Sequence, residues 1–209
     1  MPEFETQHQI KIEANFGAVG AMKAKLLDGA PCDVLILTEA LIDELIKAQR
    51  IMPSSARSLG WVKTAVAVKS GQAHPKVDDP EVLKAVFLNA SSIHFPDPQL
   101  ATAGIHFMKV LKQMGIEEQV ADRLHTYPNG ATAMKAMADA QDPRAVGCTQ
   151  ATEILITPGI DHVGDLPKVY ELATRYVGAV TSHSAHAQLA EQWLAALADT
   201  QRAELRLKM

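Results

Sequence analysis

The chain has 209 residues, room for one domain or for two lobes of roughly 100 residues each. It is 47% hydrophobic, 21% charged and 5% aromatic, with a net charge of −4, a composition typical of globular proteins. The absence of a Lys/Arg run and the scarcity of aromatics exclude the electrostatic footprint and stacking platforms of a nucleic-acid binder, and no apolar run is long enough for a membrane-spanning helix.

In chain order, Ile10 to Asn15 (IKIEAN) alternates as a strand, and Ala18 to Leu27 follows as a short helix. Asp33 to Leu37 (DVLIL) has the continuous apolar character of a fully buried, parallel-sheet strand. Thr38 is placed to cap a helix whose Leu41, Ile42, Leu45 and Ile46 make one apolar face, ending near Gln49. Trp61 to Lys69 is a longer strand. Asp79-Pro80 opens a helix to about Leu88, with proline in the first turn where its missing N–H costs nothing. Ser92 to Phe95 is a strand. The helix after it carries Phe107, Val110, Leu111 and Met114 at i, i+3, i+4, i+7 spacing. Then come a strand at Leu124 to Tyr127, a helix at Ala131 to Ala140, a strand at Ala145 to Thr149, a long strand within Tyr170 to Val180, and a helix at Ser184 to Ala198. Such alternation predicts an α/β fold of open, mainly parallel sheets flanked by helices.

Three predicted helices begin unusually. Phe16-Gly17-Ala18-Val19-Gly20-Ala21, Ala101-Thr102-Ala103-Gly104 and Pro128-Asn129-Gly130-Ala131-Thr132-Ala133 all put small, uncharged residues in a first turn that is usually acidic. A helix start leaves up to four N–H groups without intrahelical acceptors at the positive end of the helix dipole, which suits an anion. In open α/β sheets these junctions sit at the carboxyl ends of strands, where ligands bind. They match neither G-x-G-x-x-G nor a P-loop, so dinucleotides and nucleoside triphosphates are not implied.

The blocks GAPCDVLILTEALIDELIKAQRI (29–51), DPQLATAGIHFMKVLKQMGI (97–116) and RYVGAVTSHSAHAQLAEQWLAAL (175–197) resemble, in the same order, those of bacterial molybdate-binding proteins, the type II periplasmic substrate-binding components of ABC importers. The resemblance implies a two-lobed fold, with residues 1–66 and 178–209 in lobe one and 67–177 in lobe two, joined by crossing strands at Trp61 to Lys69 and Arg175 to Thr181. It implies a small oxyanion, molybdate- or tungstate-like or a small carboxylate, held in a cleft by neutral donors. The carried-over contacts are Gly17 and Ala18, Thr102 and Ala103, Asn129 and Gly130, and the hydroxyl of Tyr176. It implies an ABC permease as partner, with no cofactor, metal, nucleic acid or membrane insertion. Where the molybdate binders place serines, this chain has Gly17, Ala18, Val19 and Gly20, which bring the chain closer to a divergent branch marked by Gln150 to Pro167.

Proteins similar to this group include an aconitate isomerase, so isomerisation of a small tricarboxylic acid is the alternative, with His106 as its base. The resemblance also predicts a further strand and helix ahead of Pro2, supplied upstream in the reading frame or by another chain. The first residues have neither the basic nor the apolar region of a signal peptide, so the chain as written is expected to be cytoplasmic, and periplasmic if a signal lies upstream. Cys32 and Cys148 read as two free thiols. His183, His186, His94, Tyr127, Arg144 and Arg175 read first as packing or surface residues.

Overall fold

The computed structural model describes residues 2–199. They form two compact units: residues 2–17, 22–59 and 176–199 make the first, and residues 18–21 and 60–175 the second. Apart from residues 18–21, the chain passes between them inside two strands, β2 (Arg57–Lys69) and β7 (Ala173–Val180), at Leu59–Gly60 and Arg175–Tyr176. Gly60 takes φ +138°, a conformation that residues with a Cβ rarely adopt.

The second unit is a sheet in the order β2, β5 (Ala145–Gln150), β3 (Ser92–Pro96), β4 (Leu124–Tyr127), with β6 (Ile160–Asp165) on the other edge of β2. β3 pairs parallel with both β4 and β5, whereas β2 pairs antiparallel with β5 and β6. Both faces are covered, which is why these strands read as continuous apolar runs. Val66, Ile93, Phe95, Val146 and Cys148 face α4 (Pro80–Asn89) and α5 (Thr102–Gln113), which contribute Leu83, Phe87, Phe107, Val110 and Leu111. Ala65 and Ala67, next along β2, point the other way to Met134 and Met137 of α7 (Gly130–Asp139) and Ile154 of α8 (Ala151–Leu155). Small residues are needed there because α7 lies close: a Cβ at Gly147 would come 2.5 Å from Met134 Cε and 2.7 Å from Met137 Sδ. Asp79 caps α4, its carboxylate accepting from the amides of Glu81 and Val82.

In the first unit β1 (Val34–Thr38) pairs antiparallel with β7, and α3 (Glu39–Lys47) buries Ile42 and Leu45. On another face Val180 packs with Ala190 and Leu194 of α9 (Ala187–Ala198). Two expectations fail here. DVLIL is neither parallel nor fully buried: β1 ends the strand order, and Ile36 is 39% exposed. IKIEAN forms no strand; after α1 (Pro2–His8) residues 10–18 are irregular, with the Ile12 amide donating to Glu5. Alternation makes a segment able to pair, but a strand exists only beside a partner, and among the described residues this one has none. Thr38 stands at the N-cap of α3 with no side-chain cap bond. The helices α1 and α6 (Glu117–Val120) were not expected, and neither were β6 and α8. All are short, and β6 pairs β2 through an irregular register at Val66/Ala67.

Candidate functional site

Two of the three bare helix starts sit side by side. β4, β3 and β5 run parallel as neighbours, so the turns leaving their carboxyl ends share one rim of the second unit. The Asp97 amide donates to Tyr127 O at 2.7 Å, tying the exit of β3 to that of β4. The Asp97 carboxylate accepts from the amides of Gln99 and Leu100, which shapes the turn into α5. The N-cap of α5 is Ala101, whose methyl offers no capping bond, and no acidic residue stands in the first turn. Thr102 is half-buried, and Ala103 and Gly104 are buried. Gly104 lies so close to the end of β3 that a Cβ there would be 2.2 Å from Pro96 O.

The third start belongs to α2 (Val19–Leu27) and follows irregular chain rather than a strand. Ala18 and Gly20 nonetheless group with the second unit, where the Gly20 amide donates to Leu100 O at 3.2 Å, beside the α5 turn. Gly17 and Tyr176 belong to the first unit, and Tyr176 stands opposite Thr38 in the β1–β7 register.

The α7 turn holds what sequence reasoning missed. The Asn129 side chain accepts from the Thr132 amide and hydroxyl, an ordinary cap. The carboxylate of Glu153 reaches across from α8 to lie against Gly130, where the backbone N–H groups of Gln150, Ala131 and Gly130 favour its charged form. The Thr149 hydroxyl donates to Glu153 Oε2 at 2.5 Å. Burial pushes the Glu153 carboxyl above the usual carboxylate range, more than these donors hold it down. A single acidic residue after β5, on a helix of five residues, has no periodic signal to mark it.

His106 donates from Nε2 to Tyr170 O at 2.7 Å. Arg144 pairs with Asp142 near the surface. His186 is the N-cap of α9. Cys32 and Cys148 are free thiols, the second fully buried. Among the described residues no group of three or more His, Cys, Asp or Glu side chains is placed to hold a metal ion. No helix among them is long and apolar enough to cross a membrane.

His94 is buried under the same rim. Ser92 Oγ lies 3.0 Å from its Nε2 and the Tyr127 hydroxyl 3.0 Å from its Nδ1, while His125 stacks on the ring. Burial above all, with His125 and Lys69 adding repulsion, lowers its pKa to about 4. An unfolded histidine titrates near 6.5, so His94 is neutral in the fold and becomes protonated on unfolding below that pH. Its contribution to stability is therefore complete above pH ~6.5 and lost as pH falls toward 4, by up to about 3 kcal/mol. Urea unfolding between pH 7 and 4 is expected to show this slope, and His94→Gln to flatten it; equal slopes would remove His94 as its source.

A family model described as bacterial extracellular solute-binding protein matches residues 1–206. An aconitate isomerase from Pseudomonas sp is 26% identical over 186 residues, covering 88% of this chain and 68% of that protein. Among solved structures, the periplasmic molybdate-binding protein of Azotobacter vinelandii superposes with a TM-score of 0.77 at 18% identity, over 99% of this chain and 89% of that one. The sulfate-binding protein of Mycobacterium tuberculosis gives 0.73 at 16% identity, over 99% and 78%. A tungstate ABC transporter structure from Geobacter sulfurreducens gives 0.68 at 13% identity, over 100% and 90%.

Proposed function

The chain belongs to the bacterial extracellular solute-binding proteins and has their two-lobed type II periplasmic fold, and from that membership we propose that it captures a small oxyanion for ABC-type uptake. The observation that carries the proposal is the α5 turn: a helix start at the carboxyl end of a central parallel strand, without an acidic residue or a side-chain cap, lined by Thr102 and Ala103. Amides and the Thr102 hydroxyl bind an oxyanion without a counter-charge, so shape and hydrogen-bond geometry select the guest. Ala18, two residues before the Gly20 that bonds Leu100 O, and Asn129 and Gly130 at α7, are proposed as further contacts. Gly17 and Tyr176 are included by resemblance alone. The molybdate-, tungstate- and sulfate-related names of the structural neighbours support a tetrahedral oxyanion as ligand. The proposal implies an ABC permease as partner and the periplasm as the place of action.

A thermal-shift panel of molybdate, tungstate, sulfate, phosphate, citrate and the aconitates tests it. At least one oxyanion is expected to raise Tm, and Thr102→Asp to remove that response while leaving the fold intact, since a carboxylate in the first turn suits the helix but repels the ligand. No shift with any anion, or a shift indifferent to Thr102→Asp, refutes the proposal.

A second proposal rests on the relative named aconitate isomerase. It predicts that cis- and trans-aconitate interconvert, followed by absorbance. His106, bonded to Tyr170 O, would first have to leave that acceptor to act as base. Stabilisation by tetrahedral oxyanions without turnover decides for binding.

A further inference from the structure

Glu153 is a partly buried carboxylate that the proposed binding function leaves unused. Its position is tightly defined. The Thr149 hydroxyl holds one oxygen at 2.5 Å, and the group lies against Gly130 at the start of α7, whose amides favour its charge. A Cβ at residue 130 would lie 1.9 Å from Glu153 Oε2 and 2.2 Å from Thr149 Oγ1, so the carboxylate fills the space beside the first residue of α7. Every donor it uses is neutral, and all are of the kind an external oxyanion would use. The carboxylate is the end of a flexible side chain on a short helix, so it can withdraw by a rotamer change while the α7 backbone stays in place.

We propose that Glu153 is an internal anion guarding the α7 turn: its carboxylate covers the start of the helix at Gly130, and an incoming oxyanion gains the amides there by displacing it. The contact is autoinhibitory. It lowers the apparent affinity by the fraction of molecules in which the carboxylate is seated. Burial works against the seated charge, which makes displacement feasible. The competition rests on the oxyanion proposal above; the internal-anion role does not.

The test compares the wild-type chain with Glu153→Gln and Glu153→Ala, using tungstate, molybdate and sulfate by calorimetry and formate by thermal shift. Both variants are expected to bind whichever oxyanion stabilises the wild type about tenfold more tightly, the range in which removing one internal competitor is felt. Formate at tens of millimolar is expected to refill the vacated position and raise the Tm of Glu153→Ala while leaving the wild type unmoved. Unchanged or weaker oxyanion affinity in both variants overturns the competition. A folded Glu153→Ala chain that ignores formate overturns the internal anion. If no oxyanion stabilises the wild type, the binding proposal fails by itself, and the formate arm still decides the role of Glu153; should Glu153→Ala not fold, the near-isosteric Glu153→Gln carries the affinity arm.

Discussion

Replacing Phe107 with alanine is expected to lower the unfolding free energy by about 3–5 kcal/mol, the range for deleting a fully buried aromatic ring. Phe107 is 0% exposed and sits at the centre of the larger core of the second unit. Its ring meets Phe87 at 5.1 Å and Phe95 at 5.0 Å, both edge-on, so truncation removes two aromatic pairs as well as apolar area. The three rings come from α5, α4 and β3, and nothing within any one element can close the resulting gap. Against a total stability of about 5–15 kcal/mol this is a large share. Urea unfolding measures it directly, with Phe107→Leu as the milder comparison. A loss below about 1 kcal/mol, the size seen at sites that collapse or lie near the surface, would remove Phe107 from the centre of the core.

Gly104→Ala is expected to cost about 3 kcal/mol, at the upper end for forcing one extra carbon into a packed site. The sign is informative, because alanine in an exposed helix gains about 1 kcal/mol over glycine. Here the added carbon would meet Pro96 O at 2.2 Å, Asp97 O at 2.4 Å and Asp97 C at 2.8 Å. These are all backbone atoms, so no side-chain rotation relieves the clash, and the start of α5 must lift from the end of β3. The same displacement would move the amides proposed to hold the oxyanion, so Gly104→Ala is expected to weaken binding at temperatures where the chain is still folded. Paired measurements of urea stability and anion response check both parts; an alanine that stabilises would mean that the close approach does not exist. At Gly130, by contrast, one obstacle is the movable carboxylate of Glu153, although Thr149 Oγ1 also stands 2.2 Å from the would-be Cβ.

Much of the second unit was legible from local pattern. Phe107, Val110, Leu111 and Met114 are buried at the spacing that marked them, and β2, β3, β4, β5, α4, α5 and α7 lie within a few residues of their expected ranges. Asp79-Pro80 opens a helix with the proline in the first turn as read from the sequence, and the structure adds the Asp79 cap. The first unit was less legible. IKIEAN alternates as a strand should and pairs with nothing among the described residues, and DVLIL became an antiparallel end strand. An apolar run records how much surface a segment wants to bury but carries no information about its neighbour.

The bare first turns of α5 and α7 were evident as runs of small neutral residues, but whether an amide is empty or already satisfied depends on residues elsewhere in the chain. The α5 turn has no capping side chain, while the α7 turn carries Asn129 and the carboxylate of Glu153. By itself the sequence determined the elements and their buried faces, because periodicity and capping act over one or two helical turns. Only the tertiary structure decided which strands are partners and which helix start is occupied by the chain's own acid, because those contacts join residues far apart in sequence through packing that no local pattern encodes.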